Sequence, residues 1–112
     1  MDLKSGYPFW AVSNGLMQAF PRLASDHRCD VAVLGGGITG ALIADELASH
    51  GFDVAILEQR DIGWGSTAAS TALLQYEIDT HLVDLAKRHG EADAALAYRA
   101  CADAIDQLHA VA

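Results

Sequence analysis

Basic residues are scarce in this chain: seven Lys and Arg stand against 15 Asp and Glu, a net charge of −8. That balance disfavours a nucleic-acid partner, which needs clustered Lys and Arg for the phosphates. The acidity instead favours solubility. Cysteine is nearly missing. Cys29 and Cys101 lie far apart with no C-x-x-C pair, so the expectation is a reducing cytoplasm with two buried or idle thiols. Long apolar runs are also missing. The uncharged stretch Ile62 to Tyr76 is too short for a bilayer crossing and is rich in Gly, Ser and Thr. The opening MDLKSGYPFW carries an early acid and no apolar core, unlike a secretory signal. His27, His50, His81, His89 and His109 form no H-x-x-x-H or H-E pair, so no metal site is expected. No G-x-S-x-G elbow surrounds Ser66 either.

What the chain does contain is concentrated in residues 30–58, DVAVLGGGITGALIADELASHGFDVAILE. Val31 to Leu34 are wholly apolar, as expected for a parallel strand covered on both faces. Gly35, Gly37 and Gly40 follow with G-x-G-x-x-G spacing. Ile38, Leu42, Ile43 and Leu47 then give an apolar helical pattern, with Gly51 where a C-cap would stand. Val54 to Leu57 predict a second strand, ending on Glu58, 18 residues beyond Gly40. Strand, glycines, helix, strand and terminal acid together predict a dinucleotide-binding β-α-β unit. Gly35 permits a tight turn at positive φ. Gly37 lets the backbone approach a pyrophosphate, and Gly40 lets helix and strand pack closely. The first-turn N–H groups, at Ile38 and Thr39, face the diphosphate, aided by the helix dipole. Glu58 can accept hydrogen bonds from ribose hydroxyls and would repel a 2′-phosphate, which argues against NADP.

Residues 59–75, QRDIGWGSTAASTALLQ, carry no charge after Asp61 and are rich in small and hydroxyl residues. Two readings stand: close backbone approach to a bulky ligand, with hydroxyls offered to phosphate oxygens, or an N-capped, Ala-rich surface helix starting at Ser66. Trp64 would either cover the adenine side of a ligand or plug the turn.

In combination, VAVLGGGITG and ILEQRDIGWGSTAAS resemble the N-terminal FAD-binding segment of the D-amino-acid oxidase-like family of FAD-dependent oxidoreductases, the glycine, sarcosine and γ-glutamylputrescine oxidase type. The stretch from GYPFWAV to AFPRLASDHRCD is similar to the arm preceding the first strand in the putrescine-type members. The resemblance implies a Rossmann-like FAD domain and hydride transfer from a small-molecule amine or amino acid to flavin. It implies that Gly35, Gly37 and Gly40, with the backbone of Ile38 and Thr39, hold the pyrophosphate. Glu58 would bind the adenosine ribose, with Gln59 and Arg60 near the adenine. Ser66 and Thr67 would contact the pyrophosphate and ribityl region, and Thr71, Ala72 and Leu73 would approach the isoalloxazine. Some members attach flavin through His or Cys; none occurs between His50 and His81, so non-covalent FAD is expected from this segment. Ser70 and Thr71 stand where some relatives carry a basic residue, which disfavours sarcosine-type chemistry.

The fold class expected is α/β, an incomplete Rossmann-like β-α-β unit with an N-terminal arm and a helical C-terminal half. The divisions are 1–28 for the arm, 29–75 for the cofactor unit and 76–112 for the helical segment. In the arm, Tyr7, Phe9, Trp10, Leu16, Met17 and Phe20 are expected to pack on the unit rather than form a docking patch, and Pro8 and Pro21 break any long helix. Asp79 or Thr80 would N-cap a short helix that Lys87, Arg88, His89 and Gly90 end. A second helix from Glu91 has an apolar stripe of Tyr98, Cys101, Ile105, Leu108 and Ala112. Two strands do not make a stable doubly wound sheet, and the helical pattern runs to the last residue without a stop signal. The expectation is therefore a fragment, inactive alone, without catalytic residues of its own. Two alternatives are an NAD-dependent dehydrogenase fragment, which leaves GWGSTAAS unexplained, and a non-catalytic fragment whose exposed apolar stripe drives self-association.

Overall fold

Four-residue strands β1 (Val31–Leu34) and β2 (Val54–Leu57) pair in parallel, in the register Val31↔Val54 through Leu34↔Leu57. A computed structural model describes residues 6–15 and 18–112 of the chain. The remaining described elements are α1 (Phe9–Asn14), α2 (Ile38–Ser49), α3 (Leu82–His89) and α4 (Glu91–Val111). The chain divides into two compact units, Met1–Thr71 and Ala72–Ala112. Of the arm residues expected to pack on the cofactor unit, Tyr7, Phe9 and Phe20 are exposed and Trp10 is half-buried, while Leu16 and Met17 lie outside the described residues.

In the first unit α2 connects β1 to β2 and packs on both strands. Its end is a Schellman arrangement. Gly51, at φ +87, stands just beyond the cap residue His50. The Gly51 N–H donates to the Ala48 carbonyl (2.9 Å) and that of Phe52 to Leu47 (3.2 Å). Of the side chains that its apolar pattern selects, the helix half-buries Leu47 and leaves the others out. Ile38, Leu42 and Ile43 are exposed, while Ala44 is buried. The reason is close approach: a Cβ on Gly40 would collide with the Gly35 carbonyl oxygen, so small residues form the contact face.

The strands are not covered on both faces as expected. Burial alternates along β1, and Leu34 is 81% exposed. Among the described elements of this unit, α2 alone packs on the sheet, so one face remains open.

In the second unit Gly90, at φ +92, turns the chain from α3 into α4. The expected cap at Asp79 or Thr80 is absent. His81 is the N-cap, with no side-chain bond, and its carbonyl accepts the N–H groups of Asp84 and Leu85 at 2.9 Å. Thr80 is occupied otherwise, its carbonyl accepting the Tyr98 hydroxyl at 2.9 Å. Lys87, Arg88 and His89 do occupy the last turn of α3. Along α4, Tyr98, Cys101, Ile105 and Leu108 are half-buried as expected, but Ala112 is exposed. The closest packing is at Ala94, which is 0% exposed.

Candidate functional site

The turn after β1 begins as an extension of the sheet: the Gly35 N–H donates to the Leu57 carbonyl at 2.8 Å. Gly35 itself has φ +107, a conformation that costs other residues about 1–2 kcal/mol. Gly36, a variable position in the G-x-G-x-x-G pattern, is the buried node of the site. Its N–H donates to Glu58 Oε2 (2.8 Å), and its carbonyl accepts the Gly63 N–H (2.7 Å). The Ile62 side chain fills the space where a Gly36 Cβ would stand. Reading the motif glycines alone missed this residue; the unbroken triplet Gly35-Gly36-Gly37 was the available signal.

Glu58 is half-buried at the tip of β2, and its second oxygen, Oε1, accepts the Arg60 N–H at 2.9 Å. The Gly36 amide, then that of Arg60, hold its carboxyl below the ordinary value of 4.5. A carboxylate oxygen offers more than one lone pair. Glu58 can therefore accept ribose hydroxyls while it keeps both backbone bonds.

Helix α2 starts at Ile38, with Gly37 as its N-cap and no capping side chain of its own. The hydroxyl of Thr67, 29 residues away, accepts the Ile38 N–H at 2.9 Å. That N–H, expected to face a ligand, is thus already used. The N–H groups of Gly37, Thr39 and Gly40 have no protein acceptor among the described residues. A Cβ on Gly37 would stand 3.0 Å from Thr67 Oγ1, which closes the gap between turn and hydroxyl. These unpaired donors at a helix start suit an anion.

Residues 62–70 form successive turns rather than the helix weighed as an alternative at Ser66. Ser66 is exposed and Ala68 is buried. The Arg60 guanidinium lies over Gly65, where a Cβ would be 2.9 Å from Nη2. An open cavity of about 1590 Å³ is lined by β2, by Glu58, Gln59 and Arg60, and by the arm between Gln18 and His27. Thr71, Ala72 and Leu73 are all exposed; Thr71 ends the first unit, and Ala72, at φ +57, begins the second. Gln75 is exposed too. Among the described residues no group of three or more His, Cys, Asp or Glu side chains could hold a metal ion. No helix of the described residues is long and apolar enough to cross a membrane.

The glycine turn, the acid at the second strand and the following turns all fall within residues 30–112, which match the family described as DAO, FAD dependent oxidoreductase. The chain belongs to this family. It is 36% identical over 103 residues to a Bacillus subtilis protein described as a Rieske 2Fe-2S iron-sulfur protein, YhfW, covering 92% of this chain and 20% of that one. To the gamma-glutamylputrescine oxidoreductase of Escherichia coli it is 36% identical over 78 residues, 68% of this chain and 18% of the relative. To the glycine oxidase of Geobacillus kaustophilus it is 41% identical over 64 residues, 54% and 17% respectively. The chain thus spans about a fifth of the length of these curated relatives. No solved structure matches it significantly.

Proposed function

We propose that residues 29–75 are the FAD-binding, Rossmann-like part of an oxidoreductase that oxidises an amine or amino acid by hydride transfer to flavin. The observation that carries this reading is the turn itself. The N–H groups of Gly37, Thr39 and Gly40, at the start of α2, have no protein acceptor among the described residues, and Glu58 is bonded to Gly36 beside them. The residues fit the group: unpaired donors for a diphosphate, a carboxylate for the ribose, and no side chain on Gly37.

Thr67 accepts from Ile38 and keeps its own O–H to donate to a phosphate oxygen. Ser66, exposed next to it, can donate likewise. Gln59 and Arg60 border the cavity on the adenine side, and Thr71, Ala72 and Leu73 would approach the ring system. Bound FAD would supply the two-electron acceptor for a substrate C–H. The substrate class rests on family membership and on two relatives whose names specify glycine and gamma-glutamylputrescine.

Titration of the chain with FAD and with NAD, followed by fluorescence, tests this reading. Saturable FAD binding is expected, lost in Gly37→Val and weakened roughly tenfold in Glu58→Ala, since a hydrogen bond to a charged group is removed. Binding of NAD alone, or FAD binding indifferent to both substitutions, overturns it.

A further inference from the structure

Residues 62–70 have neither a helix nor a strand ladder to hold them, so their position against the glycine turn depends on individual anchors. Among the described residues, anchors within the β-α-β unit include the Gly63 N–H on the Gly36 carbonyl and the Ile38 N–H on Thr67 Oγ1. Further anchors come from the arm, which precedes the residues matched to the family, 30–112. The indole Nε1–H of Trp10 donates to the Ser70 carbonyl at 2.9 Å. The ring of Tyr7 meets that of Trp64 edge-on, with centroids 6.3 Å apart and planes at 76°. The arm therefore grips the turn segment near both ends, with Thr67 between the two contacts. Ser70 is coupled to Thr67 directly, its N–H donating to the Thr67 carbonyl at 3.3 Å.

Tyr7 and Trp10 thus lie at residues 62–70, beside the turn that follows β1. Asp30, just before β1, lies at the opposite end of the sheet. There the Asp30 N–H donates to the Asp53 carbonyl, and the Asp53 N–H donates to Asp30 Oδ2, both at 2.9 Å.

We propose that Trp10 is a positioning residue for the cofactor: its indole N–H, with Tyr7 set against Trp64, holds residues 62–70 so that Thr67 stays on the Ile38 amide and faces the diphosphate. This rests on the FAD reading above. Trp10 touches no reacting atom; it acts through Ser70 and Thr67. Without the indole donor the segment keeps its inner anchors but samples positions in which Thr67 is displaced.

Trp10→Phe keeps an aromatic ring and removes the donor. In the cofactor-free chain the amides of residues 67–70 are expected to exchange faster, while those of α2 between Ala41 and Ala48 are unchanged. The FAD dissociation constant is expected to rise about two- to tenfold, the range for loss of one hydrogen bond. Tyr7→Leu should act in the same direction. In a Thr67→Ala background Trp10→Phe should add little, because the residue through which it acts is already gone. Unchanged exchange at residues 67–70 overturns the proposal. So does a loss of affinity that persists in full beside Thr67→Ala, which marks a general effect on folding. Failure of the wild-type chain to bind FAD overturns the functional reading instead, and the exchange measurement then decides the clamp by itself.

Discussion

The unit Met1–Thr71 is tied together by side chains reaching distant backbone: Glu58 to Gly36, Thr67 to Ile38 and Trp10 to Ser70, across 22, 29 and 60 residues of sequence. The unit Ala72–Ala112 depends on neighbours. Gly90 sets α3 beside α4, Ala94 fills the contact, and one side-chain tie joins Tyr98 to Thr80 over 18 residues. In the first unit polar groups converge on a turn that keeps unpaired donors, and its sheet leaves an apolar face open. In the second, α3 and α4 meet at Ala94 and keep no comparable set of converging polar groups among the described residues, although Leu82, Val83 and Leu96 stay exposed. Donors arranged for a ligand must remain unpaired within the protein, whereas a helix pair gains by closing every contact it can.

The largest effect should separate the units by their tolerance of added volume. Gly40→Val drives a side chain into the Gly35 carbonyl, which the sheet holds in place. A loss of about 3 kcal/mol is expected in urea unfolding, with FAD binding lost as well. Ala94→Leu should cost about 2 kcal/mol by overpacking α3 on α4. Amide exchange should place that loss in Ala72–Ala112 and leave the glycine turn protected. Equal loosening of both units would show that they unfold together.

Glu58→Ala should cost about 1.5 kcal/mol, because it leaves the buried Gly36 N–H without an acceptor. The pH dependence has a definite sign. The Glu58 carboxyl is held below 4.5 in the folded chain, so its contribution is present above that value and is lost as pH falls through the lowered folded value. Acid titration of stability should accordingly be flatter in Glu58→Gln over that window. The smallest effect is expected from Tyr98→Phe, about 0.5–1 kcal/mol, confined to the helical unit and without influence on FAD affinity.

Much of the candidate site's backbone geometry was legible because it depends on residue types at fixed spacing. Positive φ at Gly35, the close approach at Gly40 and an acid at the tip of β2 follow from the pattern in residues 30–58. The role of Gly36 was hidden because the motif assigns it none, and it emerges only when Glu58, Ile62 and Gly63 meet around it. The apolar pattern of α2 misled for a related reason. A helix pressed onto a strand at Gly40 uses its small residues there and leaves Ile38, Leu42 and Ile43 outside. At the start of α3, capping propensity favoured Asp79 or Thr80, but the Tyr98 hydroxyl takes the Thr80 carbonyl and His81 begins the helix.

The sequence by itself determined the order of elements in the β-α-β unit, the glycine turn with its acid and the two amphipathic helices that follow. These depend on local backbone freedom and on periodicities that any reading of neighbouring residues can detect. Only the tertiary structure decided which amides remain free at the start of α2, that Thr67 takes one of them, and that Trp10 and Tyr7 fasten the turn behind it. A hydrogen bond between residues 29 or 60 positions apart leaves no periodic trace in the chain. It exists only once the packing of the whole unit has brought donor and acceptor within 3 Å.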